Sequence, residues 1–262
     1  MNVGLARTLY RELTPTRDDG KQLVVGGARA LAPMLRKELG VAGAAEDPRG
    51  AAVYVHIWAG DGEDEALLKR ARRARVPIVA LAPPEVDSLP FVLATDLVPL
   101  EGGSGFPVER LVRAIAARLG EDAVPLASRL PVLRRAVAQQ LVERVARRNG
   151  LVAAAVFVPR AGSTGGNGNG GVDLPVLLRN ELKLVAQLEQ LYGRQIAEGN
   201  RLPELAGTAA VGFGLRAVAR ELLDLVPIAR WAVQGAVAYA GTRALGEAAL
   251  RGLEAAAAPG RH

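Results

Sequence analysis

Between Gln22 and Gly120, short apolar runs alternate with longer amphipathic ones. "QLVVGG" (22–27) reads as a strand, and "ARALAPMLRKELG" (28–40) as a helix with Leu31, Met34, Leu35 and Leu39 on one face. "AAVYVHIWA" (51–59) is continuously apolar with β-branched residues, the pattern of a buried strand. "GEDEALLKRARRAR" (62–75) follows as a helix, acidic at its start and basic at its end, in keeping with the helix dipole. "VPIVALA" (76–82) is the next strand. Beyond the turn "PPEVDSLP", "FVLATDLVPL" (91–100) reads as another strand. "FPVERLVRAIAARLG" (106–120) is a helix with Val108, Leu111, Val112, Ile115 and Leu119 turned inward. Strands alternating with helices predict a three-layer α/β domain with a mostly parallel sheet.

From about Leu126 the strand pattern stops. "SRLPVLRRAVAQQLVERVARRNG" (128–150) has Leu130, Leu133, Val137, Leu141 and Val145 near a four-residue spacing. "LPVLLRNELKLVAQLEQLYG" (174–193) is a second long helix, with Leu174, Leu177, Leu178, Val185, Leu188 and Leu191 inward. Two more follow over 202–226 and 228–257, separated by Pro227. The chain thus divides into an α/β domain, 1–122, and an all-α helical bundle domain, 123–262, with "GEDAVPLASRLP" as the junction.

Between the first two long helices lies a glycine-rich segment, 160–172. Gly166, Gly168 and Gly171 satisfy the letters of the dinucleotide fingerprint. A true fingerprint needs a strand, an immediate tight turn and a helix N-terminus free to receive pyrophosphate. Here a helix precedes, no second strand follows, and Asp173 is placed to cap the next helix itself. The segment reads as a tether.

Composition narrows the chemistry. Half the residues are hydrophobic but only 4% are aromatic, so the cores are aliphatic and alanine-rich, as close-packed helices prefer. There is no cysteine, and the histidines are His56, inside an apolar run, and His262. Disulfides, thiolate chemistry, a histidine zinc site and a histidine triad are all disfavoured. The net charge of +6 is almost entirely arginine. Basic sets lie at Lys69, Arg70, Arg72, Arg73 and Arg75, and at Arg134, Arg135, Arg144, Arg147 and Arg148. Facing one way, the two sets together could grip anionic lipid head groups or nucleic acid; without interleaved aromatics for stacking, lipid is favoured over nucleic acid. The acidic group Asp61, Glu63, Asp64 and Glu65 reads as a solvated helix start rather than a magnesium site. No apolar run reaches the ~18–20 residues of a spanning helix, and "MNVGLARTLYREL" lacks a signal-peptide core. A cytoplasmic protein is expected, its Gly/Ala-rich hairpin either packed on the bundle in soluble form or peripheral to or inserted in the inner membrane.

The α/β half invites a search for nucleotide motifs. After the first strand comes "VVGGARALAPML": Gly26 and Gly27 permit a tight turn, but no P-loop lysine or magnesium-binding hydroxyl follows. The stretch from Ala51 to Asp87 resembles the part of Era-type GTPases that runs from the switch region to the guanine-specificity loop. "LVPLEGGSGFPVERLVRAIAARL" resembles the last strand, loop and helix of that fold. The specificity loop is "APPE", without its asparagine and aspartate, so the resemblance implies a degenerate P-loop GTPase-like domain with its nucleotide contacts gone. A generic flavodoxin-like domain is the alternative.

The helical half resembles the C-terminal domain of unknown function found downstream of Era-like GTPase domains and at the end of the YcjF family of bacterial inner-membrane proteins. The likeness rests on Asp173-Leu-Pro, Tyr192-Gly193, Gly212 to Arg216 through Arg220-Glu221, Pro227, and Thr242 to Gly246. The strong spanning helices upstream in that family are missing. No catalytic residue can be carried over. Gly212, Gly214, Gly235, Gly241 and Gly246 would let helices approach closely, as helix pairs do in or near lipid. Trp231 and Tyr239 are candidates for an interfacial belt.

The sequence therefore predicts a non-enzymatic scaffold or regulatory module without a cofactor or metal, associated with a GTPase or other protein, or with the anionic membrane surface. Self-association is left open. Candidate interaction residues are Arg216, Arg220, Glu221, Trp231, Tyr239, Arg134 and Arg135. The rivals are a nucleotide switch or GTPase using an unconventional loop at Gly26-Gly27, and a basic nucleic-acid or lipid binder.

Overall fold

The computed structural model describes residues 18–103, 105–155, 174–194 and 230–257. The tether at 160–172, Asp173, the helix expected over 202–226, and Arg216, Arg220 and Glu221 lie outside them. The chain divides into an α/β unit, Thr16–Gln140, and a helical unit whose described residues begin at Leu141.

The sheet has four parallel strands in the order β1-β2-β3-β4: Leu23–Gly27, Val53–Ile57, Ile78–Ala82 and Leu97–Pro99. Leu23 pairs with Val53, Tyr54 with Ile78 and Ala80 with Leu97. All five residues of β2 and of β3 are buried, because both faces are covered. On one face Val24, Tyr54, Ile78, Ala80 and Ala82 meet Leu68 and Ala71 of helix α2, Glu63–Arg73. Strand side chains alternate, so Leu23, Val25, Val53, Val55, Val79 and Leu81 point the other way, toward α1, Ala32–Leu39, and α3, Val108–Leu119. Three layers result, as the alternation of strands and helices implied.

Three local expectations need correction. The strand expected over 91–100 shrinks to Leu97–Pro99. Phe91 stands in the left-handed region at φ 65°, half exposed, and Ala94–Asp96 form a 3-10 turn. Helix α1 starts at Ala32 rather than Ala28. Its first turn holds Pro33, which fits there, and Met34 faces solvent at 59% exposure instead of joining Leu35 and Leu39 in the core. The long helix expected from Ser128 is split, and the junction before it is helical: Ala123–Arg129 form helix α4, with Ala123, Val124, Pro125, Leu126 and Ala127 buried. A new helix, α5, runs from Pro131 to Ala155. The break falls at Leu130, held extended (φ −113°, ψ 94°) because a residue before proline is kept out of the helical region.

The helical unit comprises the later part of α5, α6 (Leu174–Leu191) and α7 (Arg230–Ala257), with α6 and α7 packed on each other. Glycine sets the approach of α5 to α7. A Cβ on Gly150 would stand 3.0 Å from the Gly235 carbonyl oxygen, and one on Gly235 3.0 Å from that of Gly150. A Cβ on Gly246 would stand 2.6 Å from Val142 Cγ2. Gly241, expected to serve the same purpose, has open space beside it.

Candidate functional site

In open α/β sheets, ligands gather at the C-terminal ends of the strands where strand order reverses. The four strands here run in chain order without a reversal. Their C-terminal edge is nevertheless the place to test, since β1 ends there in Gly26-Gly27. Gly27 has φ 98°, and a Cβ on it would lie 2.0 Å from the Ile57 carbonyl oxygen. Gly26 covers the Tyr54 hydroxyl, which a Cβ would approach to 2.6 Å. Both glycines are thus required by packing against β2.

Three amides at the turn that follows are engaged. Ala28 N donates to Ile57 O (2.8 Å), and Leu31 N and Ala32 N donate to Ala28 O (3.0 and 2.9 Å). Pro33 has no N–H to give. A phosphate loop needs such amides turned outward. The Arg29 guanidinium on this turn lies 3.1 Å from the Glu63 carboxylate.

Beside it, the turn from β2 into α2 is built around Asp64. Its carboxylate accepts from Ala59 N (3.2 Å), Gly60 N (2.8 Å) and Asp61 N (3.2 Å). Asp64 is therefore buried, not part of a solvated helix start as the acidic run suggested. His56 Nε2 lies 2.9 Å from Asp64 Oδ1 but out of line for a hydrogen bond, and His56 Nδ1 lies 3.4 Å from the Tyr54 hydroxyl. Burial pushes the His56 pKa below its ordinary value, while the Asp64 carboxylate pulls the other way. Burial likewise pushes the Tyr54 phenol up. A histidine and carboxylate with no exposed surface cannot meet a substrate. Their visible work is to fasten a turn.

The helical unit hides a second polar set. Asn180 Nδ2 donates to Asn149 Oδ1 (2.8 Å), Asn149 Nδ2 to Thr242 Oγ1 (3.0 Å), and Thr242 Oγ1 to Glu181 Oε1 (3.0 Å). This directed chain joins α5, α6 and α7, and Asn149, Glu181 and Thr242 are all buried. The residues read from sequence did not include it. The available signal was Glu181, four residues after Leu177 and four before Val185, on the apolar stripe of α6.

Of the candidate interaction residues, Tyr239 donates its hydroxyl to Glu143 Oε2 (2.9 Å), so it ties α7 to α5. Arg147 and this hydroxyl hold the Glu143 carboxyl below its usual range. Arg134 closes the end of α4, donating to Ser128 O (2.8 Å) and Ala127 O (3.4 Å). Arg135 is exposed, and Trp231 lies in the first turn of α7. Arg147 of the second basic set donates to Glu143 (2.6 Å). Among the described residues, no three histidine or acidic side chains gather as a metal site, and no helix is long and apolar enough to cross a membrane. No family model, characterised protein or solved structure matches the chain.

Proposed function

We propose that the chain is a non-enzymatic scaffold or regulatory interaction module, associated with a GTPase or with the cytoplasmic face of the membrane. In this reading its α/β unit is a GTPase-like scaffold without nucleotide contacts, and its helical unit a YcjF-like domain. The carrying observation is the end of β1 and the turn after it, where the Ala28, Leu31 and Ala32 amides are bonded within the protein and Gly26 and Gly27 abut Tyr54 and Ile57. A phosphate cradle in this place would have to break the Ala28–Ile57 bond first. The described strands run in chain order with no crevice of reversal, which speaks against a nucleotide site but not for the GTPase-like origin.

Thermal unfolding in GTP or ATP with magnesium, against pyrophosphate at equal concentration, tests it. The midpoint in nucleotide is expected to match that in pyrophosphate. A further rise that needs the nucleoside would sink the proposal. Liposome flotation with anionic lipid tests the membrane association separately, and a protein pulled down by the adjacent GTPase, were one encoded nearby, would test the other partner.

A further inference from the structure

Helix α2 ends in an unusual way. Arg75 N donates to Arg72 O and Val76 N to Ala71 O, both at 3.0 Å, the paired bonds that close a helix around one left-handed residue. Helix α1 closes by the same pair at Gly40 (φ 68°), and α6 at Gly193 (φ 73°). Helix α2 puts an arginine there, at φ 57°. Its Cβ is crowded by backbone that glycine would not touch. The usual apolar contact of this motif is kept, with Ala71 and Val76 both buried. The fold would accept glycine at 75, so something other than the fold accounts for the guanidinium.

Arg75 lines a cleft of about 430 Å³ together with Arg72, Arg73, Val76, Pro77 and, from the last turn of α3, Arg118. No carboxylate is part of that lining; Asp96 reaches the set from behind, 3.4 Å from Arg118 Nε. The dipole of α2 explains basic residues in its own last turn, but neither an arginine in glycine's place nor the arrival of Arg118 from another helix. Charge bookkeeping indicates the ligand. Four guanidinium groups are opposed by Asp96, by about half a negative charge at each of two helix C-termini, and by Asp122 of the adjoining cleft that shares Arg75, whose Asp18 and Asp19 are paired with Arg129 and Lys21. About one positive charge remains uncompensated, with four forks of donors to carry it.

We propose that this cleft binds a small phosphate-bearing anion, a phosphomonoester group or pyrophosphate, held by Arg72, Arg73, Arg75 and Arg118. Planar guanidinium forks match phosphate oxygens, and four of them around one cleft permit bidentate contacts from more than one side. Val76 and Pro77 precede β3, so the cleft is at the opposite end of the sheet from Gly26-Gly27 and shares no residue with that turn.

Isothermal titration of the full chain with pyrophosphate, and with vesicles of phosphatidic acid in phosphatidylcholine, tests the site. Pure phosphatidylcholine vesicles are the blank. Binding is expected in at least one arm, weakened about tenfold by Arg75→Gly and by Arg118→Gln, the scale of a lost charged hydrogen bond. Arg251→Gln, an exposed arginine on α7, should leave it unchanged. Response to pyrophosphate alone supports a soluble ligand; response to the vesicles alone supports a lipid headgroup. Arg75→Gly should unfold at the same temperature as the parent or higher, so its loss of binding cannot be read as misfolding. The proposal is overturned if neither arm binds, if both cleft variants bind as the parent does, or if Arg251→Gln weakens binding equally. A nucleoside-dependent effect on unfolding that survives Arg75→Gly would sink the scaffold reading and leave this one standing.

Discussion

The contact between Gly246 and Val142 makes a sharp test of the helical packing. Replacing an exposed helical glycine by alanine ordinarily stabilises by about 1 kcal/mol through helix propensity. At Gly246 the new methyl would stand 2.6 Å and 2.8 Å from the two γ-carbons of Val142, far inside van der Waals contact. Valine in a helix is nearly confined to one rotamer, so it cannot swing clear. Overpacking of this kind costs about 1–3 kcal/mol, and the balance predicts that Gly246→Ala destabilises by about 1 kcal/mol. Val142→Ala alone removes two buried methyl groups and should cost about 1–2 kcal/mol. In the double variant the alanine methyl enters the space that valine left, so stability should return to within about 1 kcal/mol of the parent. Urea unfolding followed by far-ultraviolet circular dichroism gives all four corners of the cycle, with an expected coupling of about 2 kcal/mol. Additivity within about 0.5 kcal/mol, or a Gly246→Ala variant more stable than the parent, would refute the close approach of α5 and α7.

Thr242→Val should cost about 1–3 kcal/mol, because the isosteric side chain removes both the acceptor for Asn149 and the donor to Glu181, whereas Thr242→Ser should cost less than half as much; the same unfolding assay decides. Arg75→Gly should stabilise by about 0.5–1 kcal/mol, relief of left-handed strain exceeding the entropy glycine adds to the unfolded chain. Folding depresses the pKa of His56, so the unfolded chain binds its proton first and stability falls as pH drops below the ordinary value of 6.5. The slope can reach about 1.4 kcal/mol per pH unit, and a His56→Gln variant should lose that component when unfolding is compared at about pH 7.5 and about pH 5.5.

The layers of the α/β unit were legible because each strand announces itself by a continuous apolar run, and β2 and β3 are buried along their whole length. The fourth strand was overread: hydrophobicity continues through Phe91 and Leu93, yet both are exposed, since the turn geometry at Phe91 overrides the pattern. The short helix at the junction, 123–129, was not read, because seven residues are too few to show a helical period. The acidic run before α2 misled for a related reason. Composition cannot separate Glu63 and Glu65, which face solvent, from Asp64, which turns back to bind three amides. Gly26 and Gly27 stood out as a possible tight turn but are the last residues of β1, and what lies under them, Tyr54 and the Ile57 carbonyl, comes from about thirty residues away in the chain. The arginine cleft was half visible. Its α2 members form a run in the sequence, while Arg118 joins only through the fold, and the left-handed backbone at Arg75 has no signature in composition.

The two kinds of contact in the helical unit answer one physical problem. Alanine-rich helices offer smooth faces, and a smooth face packs nearly as well one turn out of place. Knobs of leucine alone would leave the register of α5, α6 and α7 weakly fixed. Gly150 facing Gly235, and Gly246 facing Val142, set how near α7 can come, but small residues tolerate sliding. The directed bonds from Asn180 through Asn149 and Thr242 to Glu181 do not, because a shift of one helical turn would strand several buried polar groups at once. A buried polar chain of this kind adds little net stability, since each group gave up water to join it. Its value lies in the difference between the right register and the wrong ones. The seam is thus better read as what makes the bundle single-valued than as a site of chemistry, which accords with a module whose surfaces, rather than its interior, meet partners.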